Sequence, residues 1–496
     1  MHVNEAIQAL LDQAIKLEMI EARDEIYARN QIMALLELDD FQKSVQPTGD
    51  TGIPDILENL ADYAVGKGII SDLDSQKEIL TAKLMNILIE KPSAVTGRFY
   101  EKYTADPRSA TDYFYALSQN SNYIQTKNIA KNISYQYDSP YGTIDITINL
   151  SKPEKDPKQI ALEREMKTAS SNYPKCLLCI ENEGYAGRIN HPARSNHRMI
   201  EMELTGEPWY LQYSPYVYYN EHCIVLCGEH RDMKIDRSAF ERLLEFVAMF
   251  PDYFLGSNAD LPIVGGSILT HDHYQGGKYE FAMAKAEETG RFTLETFPEF
   301  EAMTLKWPLS VIRLRGDDRD LLAGAAEMIL EKWIGYSDPE AEILANTNET
   351  RHNTITPIAR MRDGKYEMDL VLRNNRTSET HTLGIFHPHE DVQHIKKENI
   401  GLIEVMGLAV LPARLETELK EIEDYLLGQK ADVKDYHQVW AEELKERHAH
   451  ELTPDTVKGI VRQNVGAKFV RVLEDAGVFK QTEAGLRAFQ KFTETL

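Results

Sequence analysis

The chain has 496 residues, 42% hydrophobic and 27% charged, enough apolar material for a sizeable core and roughly two to four domains. Its formal net charge of −24 and pI near 5.1 exclude a nucleic-acid backbone or an anionic membrane surface as the main partner. No window approaches about 20 apolar residues, and Met1-His2-Val3-Asn4-Glu5 has neither a basic nor an apolar leader segment. The expected compartment is therefore the cytoplasm.

Residues 1–105 read as helical. Ala6, Leu10, Leu11, Ile15, Leu17 and Ile20 recur at helical spacing. A loop is expected at 47–54, and Ser71-Asp72-Leu73-Asp74 supplies N-cap residues for a helix running to about Ile89. The texture changes near 110. Tyr135-Gln136-Tyr137 and the run 143–150 alternate with period two and predict strands. Ser151-Lys152-Pro153 breaks the second strand, and a helix is expected to begin at Ala161. Strands and loops dominate 176–290, with one helix from Ser238, read as its N-cap, to Met249. A second α+β unit follows: a strand at 309–314, a helix at 317–334 and a strand at 366–372. The chain after 412 is helical and charged. The predicted fold class is α+β, two similar antiparallel-sheet halves within helical N- and C-terminal regions. The boundaries fall at 1–105, 106–295, 296–412 and 413–496.

The densest chemistry lies at Thr270-His271-Asp272-His273-Tyr274-Gln275, bracketed by Gly265-Gly266 and Gly276-Gly277. On a strand, His271, His273 and Gln275 would share a face. A neutral imidazole is a competent nucleophile toward phosphorus, and a glutamine amide can donate to a phosphoryl oxygen. Glycines allow close backbone approach to a phosphate. Against this stands a surface strand that merely carries two histidines.

The four cysteines, Cys176, Cys179, Cys223 and Cys227, read as reduced thiols. Cys176-Leu177-Leu178-Cys179 has the spacing of half a zinc site, with His230 and His271 available to complete it. Cys223 and Cys227 offer a Cys₄ alternative, but their apolar run favours a core role. A redox CxxC would want a thioredoxin-like setting, which the sequence lacks. Arg188, Arg194 and Arg198, interleaved with His191 and His197, read either as a basic pocket or as a solvated loop.

These motifs resemble the galactose-1-phosphate uridylyltransferase family of the histidine-triad superfamily, and most closely its second, bacterial type. The likeness is specific over 176–278 and looser over 300–412. It implies two histidine-triad-like halves and transfer of UMP from UDP-glucose to galactose 1-phosphate through a uridylyl-histidine. His273 would be the nucleophile and Gln275 the phosphoryl donor. Zinc would bind Cys176, Cys179, His230 and His271. The nucleotide would be held by Asn220, Glu221, Asn258, Ser267 and Arg194, and the hexose phosphate by Glu404. A homodimer is implied. The pattern departs from the first type of the family in Asp272, where proline is usual, and in one extra residue after Ser267. The strand 366–372 lacks a second His-x-His metal site. His387-Pro388-His389 has no glutamine after it and reads as structural or as part of the hexose-phosphate pocket. The competing readings are a dinucleoside polyphosphate phosphorylase on the same scaffold and a non-catalytic, zinc-stabilised binding protein.

Overall fold

The computed structural model describes residues 1–42, 51–151, 171–266 and 268–496. Part of the 47–54 loop, the Lys152-Pro153 break, the helix expected from Ala161 and Ser267 lie outside them. The chain forms two compact units. The first comprises Met1–Ala130, Ser151–Val217 and Glu221–His230; the second comprises Lys131–Leu150, Tyr218–Asn220 and Arg231–Leu496. Both are α+β, the sheets are predominantly antiparallel, and both ends of the chain are helical.

The first unit opens with helices Val3–Lys16, Glu25–Leu35, Ile53–Gly66, Asp74–Asn86 and Pro92–Ala105. Ala6, Leu10 and Leu11 of the expected stripe are buried in one core with Ile56, Leu60 and Leu84, Ile15 and Ile20 are half-buried, and Leu17, the C-cap, is exposed. Helix Asp74–Asn86 starts after Leu73, with no side-chain cap bond from the preceding Ser71 or Asp72, and stops three residues before Ile89. The helical region also runs past the expected boundary. Pro107–Asn120 is a further helix, because Asp106 accepts from the Arg108 N–H as N-cap and Pro107 pre-sets the first turn. Its Phe114 packs against Tyr213, ring centroids 5.3 Å apart, and the Tyr213 hydroxyl donates to the Thr111 carbonyl. Tyr213 ends the middle strand of an antiparallel set ordered Ile200–Leu204, Glu207–Tyr213, Cys223–Cys227. Cys223 and Cys227 are buried on that last strand, matching the core reading.

The second unit holds seven antiparallel strands in the order His273–Gly277, Phe254–Gly256, Asn353–Arg362, Lys365–Asn374, Val311–Gly316, Glu301–Leu305, Glu288–Phe292. Helices Arg237–Met249 and Arg319–Ile334 pack on it. The first of these is capped by Asp236, which accepts from the Ala239 N–H; Ser238 lies inside the helix. A three-stranded sheet pairs Ile133–Ser139 with Gly142–Ile148, and that strand in parallel with Leu408–Leu411. Helices Arg414–Leu426, Asp435–Arg447, Val457–Ala476 and Glu483–Thr493 complete the chain. On the long central strand Glu367 and Asp369 are fully buried and bound by Arg313, Arg315, Arg360 and Arg362. Burial pushes Asp369 up, but the charges of Arg313 and Arg360 outweigh it and hold it down to about 2.

The basic cluster does not stay free. Arg198 is buried and donates to the Glu90, Ser195 and His197 carbonyls and to the Asn86 side chain. His197 stacks on Tyr123, centroids 4.2 Å apart, and donates from Nε2 to Gln212. Burial, helped by the charge of Arg194, pushes His197 down to about 3. The unfolded ring titrates near ~6.5. Below that pH the unfolded chain takes up a proton that the folded ring refuses. The stability present above it is therefore lost at about 1.4 kcal/mol per unit as pH falls. The urea midpoint is expected to drop between pH 6.5 and 5, and His197→Gln is expected to flatten that dependence by roughly 2 kcal/mol.

Candidate active site

His273 is the first residue of strand His273–Gly277, and His271 and Asp272 precede the strand. Shared-face alternation therefore covers His273 and Gln275 but not His271. The local reason is a backbone bond made outside the ladder: the Asp272 N–H donates to the Arg231 carbonyl at 2.7 Å. Asp272, buried, faces Arg231 at 3.6 Å and Arg242 at 3.9 Å. Burial pushes its carboxyl up to about 6 against the pull of Arg242 and Arg231. Arg242, from helix Arg237–Met249, also reaches the Tyr274 hydroxyl at 3.4 Å. The residues on both sides of His273 are thus braced by one guanidinium.

The His273 ring is 7% exposed, and its Nδ1 lies 2.7 Å from the His271 carbonyl oxygen. A carbonyl only accepts, so Nδ1 carries the proton and Nε2 keeps its lone pair. Burial pushes the ring down to about 4, with the neighbouring His271 adding to the effect and the carbonyl bond opposing it. At neutral pH the ring is an uncharged imidazole with one bare nitrogen. Gln275 is half-buried and pairs with Gly256 of the next strand.

Two residues beyond Gly256, the Asn258 Oδ1 accepts from the Leu402 N–H at 2.9 Å. Leu402 opens the short helix Leu402–Val405, which carries Glu404. Glu404 is not an exposed helix carboxylate: its side chain is 12% exposed, and Oε1 accepts from the Lys396 ammonium at 2.9 Å. Gly266 packs on Asn258, where an added Cβ would sit 2.9 Å from Nδ2. His387 is buried, and its Nδ1 lies 3.3 Å from the Pro388 carbonyl oxygen. His389 donates from its backbone to Asp475 and stacks on His381.

In the first unit, Cys176 Sγ and Cys179 Sγ are 3.5 Å apart, and Cys179 Sγ is 3.2 Å from His230 Nδ1. The ligand-type atoms of all three lie within 4.8 Å of one another. Tetrahedral zinc with Zn–S near 2.3 Å would set sulfurs about 3.8 Å apart, so two thiols and an imidazole at this spacing fit a zinc ion. The turn is built for it. Leu178 N–H donates to Cys176 Sγ, and Asn182 Nδ2 donates to the carbonyls of both cysteines at 2.8 Å. The Asn182 Oδ1 is fixed in turn by His191 Nε2 at 2.7 Å. Burial pushes the Cys179 thiol up to about 11. Sequence reasoning missed Asn182, although it stands three residues after Cys179.

Other expected residues fall as follows. Asn220 is exposed and donates to the Lys278 carbonyl. Glu221 is buried in the left-handed region, φ 53°. The Tyr219-Asn220-Glu221 segment is a turn before strand Cys223–Cys227, and the strand expected from the resemblance does not reach it. Arg194 lies over the Tyr123 ring and donates to the Ala193 carbonyl.

The segment thus brings together a buried, proton-poor imidazole with a fixed tautomer, a glutamine two residues on and a glycine pair upstream. Comparison narrows the class. The models for the N- and C-terminal domains of galactose-1-phosphate uridyl transferase match residues 18–232 and 246–442. A galactose-1-phosphate uridylyltransferase of Clostridium perfringens is 51% identical over 100% of this chain and 99% of its own length. One from Streptococcus pneumoniae is 51% identical over 98% of each. The yeast Ap4A phosphorylase Apa2 in complex with Ap4A aligns at 11% identity and TM-score 0.36 over 68% of this chain and 95% of its own, too distant to argue from. The chain belongs to the galactose-1-phosphate uridylyltransferase family and is a transferase.

Gly265, upstream of His273, is tightly enclosed. A Cβ there would lie 2.5 Å from the Ala259 carbonyl and 2.6 Å from that of Leu261, both backbone. Gly265→Ala is expected to cost about 1–3 kcal/mol of stability in urea titration and to lower transferase activity.

Proposed function

We propose that the protein transfers UMP from UDP-glucose to galactose 1-phosphate, yielding UDP-galactose and glucose 1-phosphate, by way of a uridylyl group on His273 Nε2. The observation that carries this is the His273 Nδ1–H donated to the His271 carbonyl, which leaves Nε2 as the one nucleophilic nitrogen. In the first step the Nε2–P bond forms as the bond from the α-phosphorus to the bridging oxygen breaks. Glucose 1-phosphate departs with that oxygen, an acidic leaving group that needs no proton. The Gln275 amide donates to the α-phosphoryl oxygen where charge gathers. In the second step a phosphate oxygen of galactose 1-phosphate attacks the same phosphorus and restores the ring. One nucleophile used twice gives ping-pong kinetics.

Asn220, Glu221, Asn258, Ser267 and Arg194 hold the nucleotide on this reading. For Asn258 the available group is Nδ2, since Oδ1 is taken by Leu402. Glu404 accepts from hexose hydroxyls through Oε2, because Lys396 occupies Oε1. Zinc is held by Cys176, Cys179 and His230, with His271 as fourth ligand. When bound it supplies a structural cross-link two residues from the nucleophile. The working division is a nucleotidyl-transfer half at 106–295 and a second half at 296–412, in a cytoplasmic homodimer. No helix among the described residues is long and apolar enough to cross a membrane.

Two measurements test these assignments. Incubation with uridine-labelled UDP-glucose is expected to leave acid-labile label on the wild type and none on His273→Gly, with galactose 1-phosphate discharging it. Discharge only by phosphate or another nucleotide would keep the chemistry and replace the acceptor, as in a dinucleoside polyphosphate phosphorylase. No label on folded protein would sink the covalent route and favour a binding protein. Metal analysis is expected to find zinc in the wild type and little in Cys179→Ser, whose thermal midpoint should fall.

A further inference from the structure

The segment 396–405 presents Glu404; its own Lys396, together with Arg373 and Asn258 from elsewhere in the second unit, holds it. Lys396, 5% exposed, donates to Glu404 Oε1 at 2.9 Å and to the Val410 carbonyl at 3.0 Å. Arg373, 1% exposed and near the end of strand Lys365–Asn374, donates from Nη2 to the Ile400 carbonyl at 2.9 Å. Asn258 receives the Leu402 N–H. Gly401 is thus gripped on both sides, and a side chain there would collide with the grip: its Cβ would lie 3.0 Å from Asn258 Oδ1 and 3.5 Å from Glu404 Oε2.

Arg373 is an unusual choice for a purely structural role. Its Nε has no hydrogen-bond partner among the described residues, and its other contact is a 3.4 Å bond from Nη1 to Thr356. Burial lowers it to about 10, and Glu404 is the charge that opposes this. Lys396 and Glu404 form a direct buried pair, Lys396 also faces Glu398 at 3.8 Å, and the Glu404 charge acts on buried Arg373 as well.

We propose that Lys396 and Arg373 are positioning residues for the hexose phosphate. They fix the place and rotamer of Glu404, so that Oε2 meets the sugar as a rigid acceptor. The inference rests on the reading of Glu404 as the hexose-binding carboxylate. Lys396 acts directly on the carboxylate. Arg373 acts on the backbone two residues upstream of the helix that carries it. A carboxylate free to swing would still bind sugar, but not in one geometry, and a displacement of about 1 Å is enough to cost roughly 100-fold in a reaction that depends on alignment.

The test is a double-mutant cycle on steady-state kinetics with galactose 1-phosphate as the varied substrate. Lys396→Met, Glu404→Gln and the double variant are compared, with Lys396→Arg as the conservative rescue and Arg373→Lys as a second route to the same segment. Circular dichroism and zinc content establish that each variant is folded. If the proposal holds, Glu404→Gln and Lys396→Met each raise KM for galactose 1-phosphate by roughly 10- to 100-fold. The double variant is then no worse than Glu404→Gln alone, Lys396→Arg recovers most of the loss, and Arg373→Lys shows a smaller rise in the same KM. Losses that multiply in the double variant would overturn it, as would a Lys396→Met variant with unchanged KM beside an impaired Glu404→Gln. If Glu404→Gln itself leaves KM unchanged, the hexose reading of Glu404 fails first. Should Lys396→Met not fold, Lys396→Arg and Arg373→Lys carry the comparison, and unaltered KM in both with an impaired Glu404→Gln counts against the proposal.

Discussion

The bond from His273 Nδ1–H to the His271 carbonyl determines more of this protein's chemistry than any other single contact. An imidazole in water exchanges its proton between two nitrogens and picks up a second one near neutral pH. Both freedoms are removed. The carbonyl selects the tautomer, and burial disfavours the cation. What remains is one lone pair on Nε2. The strand must then hold that lone pair still, and its neighbours do so from the other side: Asp272 and Tyr274 both reach toward Arg242 on helix Arg237–Met249. The helix that covers the sheet thus also fixes the rotation of the strand edge that carries the nucleophile.

The same backbone bond places two roles within three residues. His271 offers its carbonyl to the nucleophile, and its ring is the fourth donor on the proposed metal assignment. On that assignment the main chain of one ligand also orients the His273 ring. This gives a physical reason for a closed, structural type of site. The thiol turn supports that reading, because Asn182 donates to the Cys176 and Cys179 carbonyls and is itself fixed by His191, an outer shell that stiffens the ligands.

Much of this was legible in the sequence, and the rest failed for identifiable reasons. The His-x-His-x-Gln run, the CxxC with His230 and the alternation at 143–150 are local patterns whose meaning does not depend on distant partners. The helical region runs past 105 because Asp106 followed by Pro107 starts a new helix. The cap of the helix to Met249 is Asp236 and not Ser238, since the register is supplied only by the folded turn. His271 was expected on the strand because alternation says nothing about where the ladder starts. Lys396 and Arg373 had no local signature apart from a charged residue closing the apolar run 370–372, and their partners are a carbonyl and a carboxylate in the segment 400–404.

That last point bears on how a chain of charge −24 can handle phosphorylated substrates. Beyond about 8 Å, charges are largely screened at physiological salt, so the overall sign matters less than the few cations at the site. Counting arginines does not locate them. The four arginines around Glu367 and Asp369 are consumed by buried carboxylates and by Glu288 and Glu301. Such a network leaves little positive field for a ligand and serves the rigidity of the central strands. Arg198 is likewise spent on carbonyls. Arg373 differs: it is buried, it bonds a carbonyl and a hydroxyl, and the carboxylate that opposes its burial is Glu404, already paired with Lys396. Lys396 faces a second carboxylate as well, Glu398 at 3.8 Å, so two cations stand against two carboxylates, and pairing offsets the cost of taking these charges out of water.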